Sequence, residues 1–364
     1  MCPYYTMFPL DFPLGQLRLY PDARRVLDPF CGRGTTLFAA RLAGRPTVGI
    51  DINPVAVAIA RAKTVKVGPG AVVQLARKLL RAAEEPAAAA PAGEFWHWCF
   101  HADTLRETAA LRHGLRSCGD TPTAAVLRAI MLGALHGPRN KGLPSYLSNQ
   151  MPRTYASKPA YAVRYWQDRG LKPVRVNTLD VIERRVNYLL RSCPPGVPGR
   201  VILGDAAGSV ATLQQRFDLV ITSPPYYGMR TYAPDQWLRH WFLGGPPDVH
   251  YGSEGQLARQ PNQAAFVSAL AGVWRAVASR CTPGARLVIR FGALPSAKVS
   301  PEKLLIASLR EARAGWMTRD IRPVRAPSAH RRQAEQFNVG QRAIGRAVDE
   351  IDVMAELLSA RIWK

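Results

Sequence analysis

Two short apolar segments most narrowly limit what this chain can fold into. Residues 24–30, RRVLDPF, and residues 46–52, PTVGIDI, each read as a buried strand that ends in an acid, Asp28 and Asp51. A helix pattern follows each one. After Gly32 and Gly34 comes TTLFAARLAG, closed by Gly44, and after Asn53-Pro54 comes VAVAIARAK. Strand, loop, helix, strand, helix in this order opens a doubly wound parallel sheet.

The rhythm then breaks. Residues 68–199 hold an Ala-rich helical stretch, the linker EEPAAAAPAGE, the cluster Phe95, Trp96, His97 and Trp98, and the buried-helix pattern TPTAAVLRAIMLGALHG. They close with the loop CPPGVPG. Strand patterns resume at 200–205, 217–223 and 285–291, with a helix near 301–313. Residues 316–325 read as one arm of a terminal hairpin, and 341–362 read as helix. An unstructured loop of about 130 residues does not suit a compact domain, so a mainly helical insertion is expected between the second and third strands. The expected division is 1–67 and 200–364 for the sheet-bearing parts and 68–199 for the insertion.

Charge gives the first hint of a partner. Lys and Arg number 49 against 26 Asp and Glu, a formal +23, and forty of the 49 are Arg. A coding bias explains the Arg:Lys ratio but not the excess, which suits a polyanion such as nucleic acid. From Pro138 to Arg175 eight basic residues stand against one acid, Asp168, with Tyr146, Tyr155, Tyr161, Tyr165 and Trp166 interleaved. That composition grips phosphates and stacks bases. A second basic group, Arg310 to Arg332, reads either as a further contact or as a sheet edge blunted by charge. The six cysteines form no CxxC, and no Cys/His cluster has metal spacing. No apolar run reaches membrane length, and MCPYYTMFPLDF lacks signal-peptide character, so a cytoplasmic protein is expected.

Three motifs carry chemistry. DPFCGRGTT, Asp28 to Thr36, sits at a strand end, where two glycines let backbone pass close to a ligand. It lacks the third glycine of a dinucleotide fingerprint and the Lys-Ser/Thr of a P-loop. Asp51 ends the next strand, where an acid accepts ribose hydroxyls or, alternatively, caps the following helix. TSPPYYG, Thr222 to Gly228, follows the strand FDLVI. Pro224 and Pro225 stiffen the turn, the Pro224 carbonyl and the Ser223 hydroxyl are acceptors for an NH2 group, and Tyr226 offers a ring.

Together these residues resemble the DNA methyltransferases that act on exocyclic amines, the cytosine-N4 and adenine-N6 group. The resemblance covers roughly 1–67 and 200–340. It implies an α/β fold, a Rossmann-like, mostly parallel seven-stranded sheet with a helical insertion, and S-adenosylmethionine as cofactor. Asp28, Phe30, Gly32, Gly34 and Thr35 would cradle the cofactor, with Cys31 packing inside their loop. Asp51 would hold its ribose beside Ile52 and Asn53, and Asp205 and Ala206 would lie near its adenine. Thr6 and Phe8 are candidates for closing over its methionine part. Ser223, Pro224, Pro225 and Tyr226 would hold a base flipped out of duplex DNA, with Tyr226 stacked on it. Arg153, Lys158, Arg164, Arg169, Tyr227 and Arg230 are candidate DNA contacts.

Within this family, Ser at the first motif position leans towards cytosine-N4, with adenine-N6 as the alternative. The order of motifs departs from many Ser-Pro-Pro-Tyr members, because here the cofactor loop precedes the catalytic one. No cysteine follows a proline, which argues against the cytosine-C5 mechanism with its Cys nucleophile. RNA or tRNA base methylation, a NAD-dependent oxidoreductase and a basic binding module are the competing classes. A cognate restriction endonuclease is a candidate partner, no metal is expected, and monomer and homodimer stay open.

Overall fold

The computed structural model describes residues 8–81, 90–137, 144–151, 158–191, 194, 196–197, 199–227, 236–249, 260, 262–292, 299–324 and 350–358. In chain order it opens α1 (Asp11–Leu19), β1 (Val26–Asp28), α2 (Thr35–Leu42), β2 (Thr47–Asp51) and α3 (Pro54–Thr64). Six helices follow: α4 (Pro69–Leu80), α5 (Glu94–Cys99), α6 (Ala102–Ser117), α7 (Pro122–Ala134), α8 (Pro159–Gln167) and α9 (Thr178–Leu189). Then come β3 (Gly199–Leu203), α10 (Ala206–Ala211), β4 (Phe217–Thr222), α11 (Trp237–Phe242), α12 (Gln263–Ser279), β5 (Cys281–Gly292), α13 (Pro301–Ala312), β6 (Trp316–Pro323) and β7 (Glu350–Leu357).

The chain divides into two compact units. A sheet unit takes Tyr4–Thr64, Pro194–Thr231 and Ser253–Lys364; a helical unit takes Met1–Pro3, Val65–Cys193 and Tyr232–Gly252.

In the sheet unit the strands lie in the order β3-β2-β1-β4-β5-β7-β6. The first five run parallel and β7 enters antiparallel between β5 and β6. This is the expected mostly parallel, seven-stranded doubly wound sheet. The inner strands are apolar because helices cover both faces: β4 buries Phe217, Leu219, Val220 and Ile221, and β5 buries Leu287, Val288, Ile289 and Phe291. The strand order reverses between β1 and β4, so the loops leaving their carboxyl ends flank the crevice where ligands bind in such sheets.

The sequence departs from the structure at the C-terminus. Residues 341–349 lie outside the described residues, but Glu350–Leu357 is a strand, not the expected helix. The segment EIDVMAEL is rich in helix formers, yet Ile351, Val353, Ala355 and Leu357 are buried in alternation with half-exposed neighbours. Hydrogen bonding to strands on both sides overrides the residue propensities. The hairpin arm at 316–325 is present as β6. It is the edge of the sheet, and its Arg319 and Arg322 pair with Glu356 and Asp320, so these two form a charged edge, while Arg325 and Arg331 lie outside the described residues.

The helical unit rests on good caps and an aromatic core. Thr121 caps α7 ahead of Pro122, and Asn177 caps α9. Phe95 and Trp96 of α5 pack on Trp237 of α11, and Trp96 also on Trp241, at centroid distances of 4.7, 5.7 and 4.6 Å. Trp237 and Trp241 thus pack within the helical unit, although they follow residue 200.

Candidate active site

The loop after β1 is shaped by two buried carboxylates. Asp28 is 1% exposed; its Oδ1 accepts from the Phe30 N–H at 3.2 Å and from the Thr222 hydroxyl at 2.7 Å. The Thr222 bond ties the end of β1 to the end of β4, across the point where strand order reverses. Burial, opposed by these hydrogen bonds, pushes the Asp28 carboxyl up to about 6. Asp28 thus ties the loop together from inside.

Asp51 serves the loop from β2. Its Oδ2 accepts from the Gly32 N–H at 2.8 Å and its Oδ1 from the Asn53 N–H at 2.8 Å. Asn53 in turn accepts from the Val55 N–H at 2.9 Å, in the first turn of α3. The capping role that competed for Asp51 therefore falls to Asn53. A carboxylate has about four acceptor positions, so Asp51 keeps capacity for hydroxyl donors. Burial pushes its carboxyl up to about 6, against the backbone bonds that hold it down.

Glycine is required at Gly34, which stands at φ 75° at the start of α2. A Cβ there would lie 2.9 Å from Ala60 Cβ. The loop thereby lies tight against α3. Cys31 is buried within it, its N–H donating to the Ile50 carbonyl at 2.8 Å, and burial raises its thiol well above the ordinary range. It packs the loop and is no nucleophile. Beside Asp51, Ile52 is 48% exposed, an apolar surface at the strand end. Asp205 caps α10 by accepting from the Gly208 N–H at 2.9 Å, and Ala206 is buried. Gly204 N–H donates to the Asp51 carbonyl at 3.0 Å, which draws the β3 end to the β2 end. Thr35 is buried at the first turn of α2, and Phe30 is half-buried with its ring edge toward Trp274.

The turn after β4 differs in character. Ser223 Oγ is buried, with no hydrogen-bond partner among the described residues. A buried hydroxyl without a partner costs on the order of 1–3 kcal/mol, which a bound donor would recover. Pro224 is buried and Pro225 half-buried. Tyr226 does not offer the open face that the sequence suggests. It is 2% exposed, its hydroxyl donates to Glu350 Oε1 at 2.9 Å, and its ring meets Phe291 edge-on at 5.7 Å. Tyr227 is half-buried against Phe266 at 5.4 Å.

The remaining sequence candidates are dispersed. Thr6, Arg153 and Arg230 lie outside the described residues. Phe8 is buried against Phe12 in a core cluster with residues of α1, β1, α2, β4 and β5. Lys158, Arg164 and Arg169 are exposed on or beside α8, in the helical unit, with Arg169 over the Tyr165 ring at 4.2 Å. Two members of that basic, aromatic segment are spent internally. Trp166 is fully buried and donates to the Gln150 carbonyl at 2.6 Å, and Arg175 pairs with Asp103 at 2.6 Å and Glu107 at 3.4 Å. Among the described residues no group of His, Cys, Asp or Glu could hold a metal ion, and no helix is long and apolar enough to cross a membrane.

Two site residues escaped the sequence reading. Thr222 had a signal, since it immediately precedes the Ser-Pro-Pro-Tyr turn. Glu350 had none, because it lies 124 residues from Tyr226 in a segment that reads as helix.

Residues 19–62 match the family described as DNA methylase (N6_N4_Mtase). The match runs from the end of α1 through the Asp28 loop and Asp51 into α3, and supports the exocyclic-amine DNA methyltransferase family that the motifs resemble. No curated protein matches the chain. Among solved structures it is similar to TrmN from Thermus thermophilus, with 10% identity, TM-score 0.37, 96% of this chain and 49% of that one covered. It thus spans about half the length of TrmN. It is also similar to the rRNA methyltransferase aviRa from Streptomyces viridochromogenes, with 14% identity, TM-score 0.34 and coverage of 98% and 88%. A third is magnesium protoporphyrin IX methyltransferase (ChlM) from Synechocystis PCC 6803 with bound SAM, with 10% identity, TM-score 0.36 and coverage of 96% and 78%.

Proposed function

With the DNA methylase match as premise, we propose that this protein transfers a methyl group from S-adenosylmethionine to the N4 amine of a cytosine flipped out of duplex DNA. The observation that carries the reading is Ser223 Oγ, a buried acceptor without a partner on the turn after β4. That turn is tied through Thr222 to Asp28 of the loop after β1.

The residues present fit the cofactor. Asp51 retains acceptor capacity for the ribose hydroxyls, Ile52 gives the adenine an exposed apolar surface, and Gly34 lets the loop pass close to α3, with open space at the Cβ position of Gly32. S-adenosylmethionine supplies an electrophilic methyl group on its sulfonium. Ser223 Oγ and the Pro224 carbonyl would accept hydrogen bonds from the two N–H groups of the amine; as the N–CH3 bond forms the sulfonium C–S bond breaks, S-adenosylhomocysteine leaves, and one amine proton passes to solvent. Drawing those protons out of the ring plane localises the nitrogen lone pair, which in a free base is delocalised into the ring. The contribution of this turn is positioning and electrostatics, with no covalent bond to the protein. Lys158, Arg164 and Arg169, exposed with Tyr161 on the helical unit, supply phosphate contacts.

Ser223→Ala tests the reading. Transfer to duplex DNA should fall while S-adenosylmethionine binding by calorimetry is unchanged. Wild-type turnover in this variant would remove Ser223 from the mechanism. The family match leaves adenine-N6 as the second reading, and nucleoside analysis of the product separates the two.

A further inference from the structure

The burial of Tyr226 is built, not incidental. Its ring fills space that Gly292 leaves open: a Cβ at Gly292 would lie 3.0 Å from Tyr226 Cε2 and Cζ and 3.1 Å from Glu350 Cγ. Gly292 and Glu350 are register partners at the ends of β5 and β7. Phe291 closes the ring from the side. Glu350 is itself 9% exposed, and burial, with the Glu350 charge beside it, keeps the Tyr226 phenol protonated as a donor. The fourth residue of the turn is therefore anchored to two strands, while the first, Ser223, keeps a free acceptor.

We propose that Glu350 is a positioning residue for methyl transfer. By holding the Tyr226 hydroxyl it fixes the turn from Ser223 to Tyr226 in the pose that aims the Ser223 hydroxyl at the target amine. The proposal rests on the reading of this turn as the amine-binding turn. It gives the Tyr226 hydroxyl a role of its own beside that of the ring. A stacking ring needs only its π face, whereas an anchor needs its hydroxyl. A displacement of about 1 Å at a reacting group costs on the order of 100-fold in rate, so a small shift of the turn is enough to be read kinetically.

The test is a set of variants of the full chain, assayed with radiolabelled S-adenosylmethionine and a random-sequence duplex DNA pool. Tyr226→Phe keeps the ring and its fit over Gly292 and removes only the donor. Its kcat should fall on the order of 10- to 100-fold, with the dissociation constant for S-adenosylmethionine unchanged. Glu350→Ala should show the same loss, and the double variant should be no worse than either single one. Glu350→Gln keeps an acceptor oxygen in place and should restore kcat close to wild type. A Tyr226→Phe variant with wild-type kcat, from a wild-type protein that methylates DNA, overturns the anchor alone. So does a set in which only melting temperature falls, since that is a merely structural pair. If the wild-type protein transfers methyl to no base, the amine-binding reading fails, and the anchor with it.

Discussion

The loop after β1 and the turn after β4 flank one crevice, yet they are built in opposite ways. In the first, every carboxylate has backbone or hydroxyl donors, the glycine is fixed by contact with Ala60, and all partners except Thr222 come from nearby strands and helices. In the second, the leading hydroxyl has no partner among the described residues and the tyrosine is held from far along the chain. A loop tied this closely by internal bonds is preorganised for a ligand of fixed shape. A turn with one free acceptor waits for the donor that completes it, which is the arrangement a substrate amine requires.

The sharpest way to break this contrast is to remove the free acceptor. Ser223→Ala should lower kcat on the order of 100-fold, the scale for one lost catalytic hydrogen bond. Among the described residues that hydroxyl has no partner, and its burial carries a cost, so melting temperature should hold or rise; a marked fall in it would mean Ser223 has a structural partner.

Next comes Asp51. Asp51→Asn should weaken S-adenosylmethionine binding roughly tenfold at pH 7.5, the scale of a charge-assisted hydrogen bond. Its carboxyl is pushed up to about 6 by burial, so wild type loses the ionised acceptor as pH falls through that value. The affinities of wild type and Asp51→Asn should therefore converge towards pH 5 in calorimetry. Stability runs the other way. A carboxyl with a higher pKa folded than unfolded binds its proton more tightly when folded, so the stability it contributes is lost as pH rises from 3.8 to about 6. Asp28 adds to the same slope, and a chemical-denaturation series over that range measures it.

Smaller effects sharpen the first loop. Gly34→Ala forces a side chain into φ 75° and against Ala60, at roughly 1–2 kcal/mol, read as a lower denaturation midpoint. Thr222→Val removes one donor to Asp28, at about 1 kcal/mol. Its kcat should fall more than its cofactor affinity if the bond aligns turn and loop. Equal changes in both would make the bond a feature of the cofactor loop alone.

The same contrast explains what the sequence made legible. Strand ends at Asp28, Asp51 and Thr222 were readable because their chemistry and their secondary-structure signals lie within a few residues of one another. Their placement at one crevice followed from the parallel strand order alone. Glu350 was not readable: its segment is rich in helix formers, and only pairing with both β5 and β6 makes it a strand. The partner of Tyr226 was hidden for the same reason, since it comes into place only with β7. Phe8 and Trp166 show that an aromatic residue in a motif-like setting is claimed first by the nearest core.

The most direct measurement is the product itself. Wild-type protein and Ser223→Ala would be incubated with S-adenosylmethionine and a random-sequence duplex DNA pool, with total RNA in a parallel reaction. The nucleic acid is then digested and its nucleosides identified by mass spectrometry. The account predicts N4-methylcytosine from DNA with wild type and its near-complete loss with the variant. Methylated nucleosides from RNA alone, or an equal yield from Ser223→Ala, would contradict it.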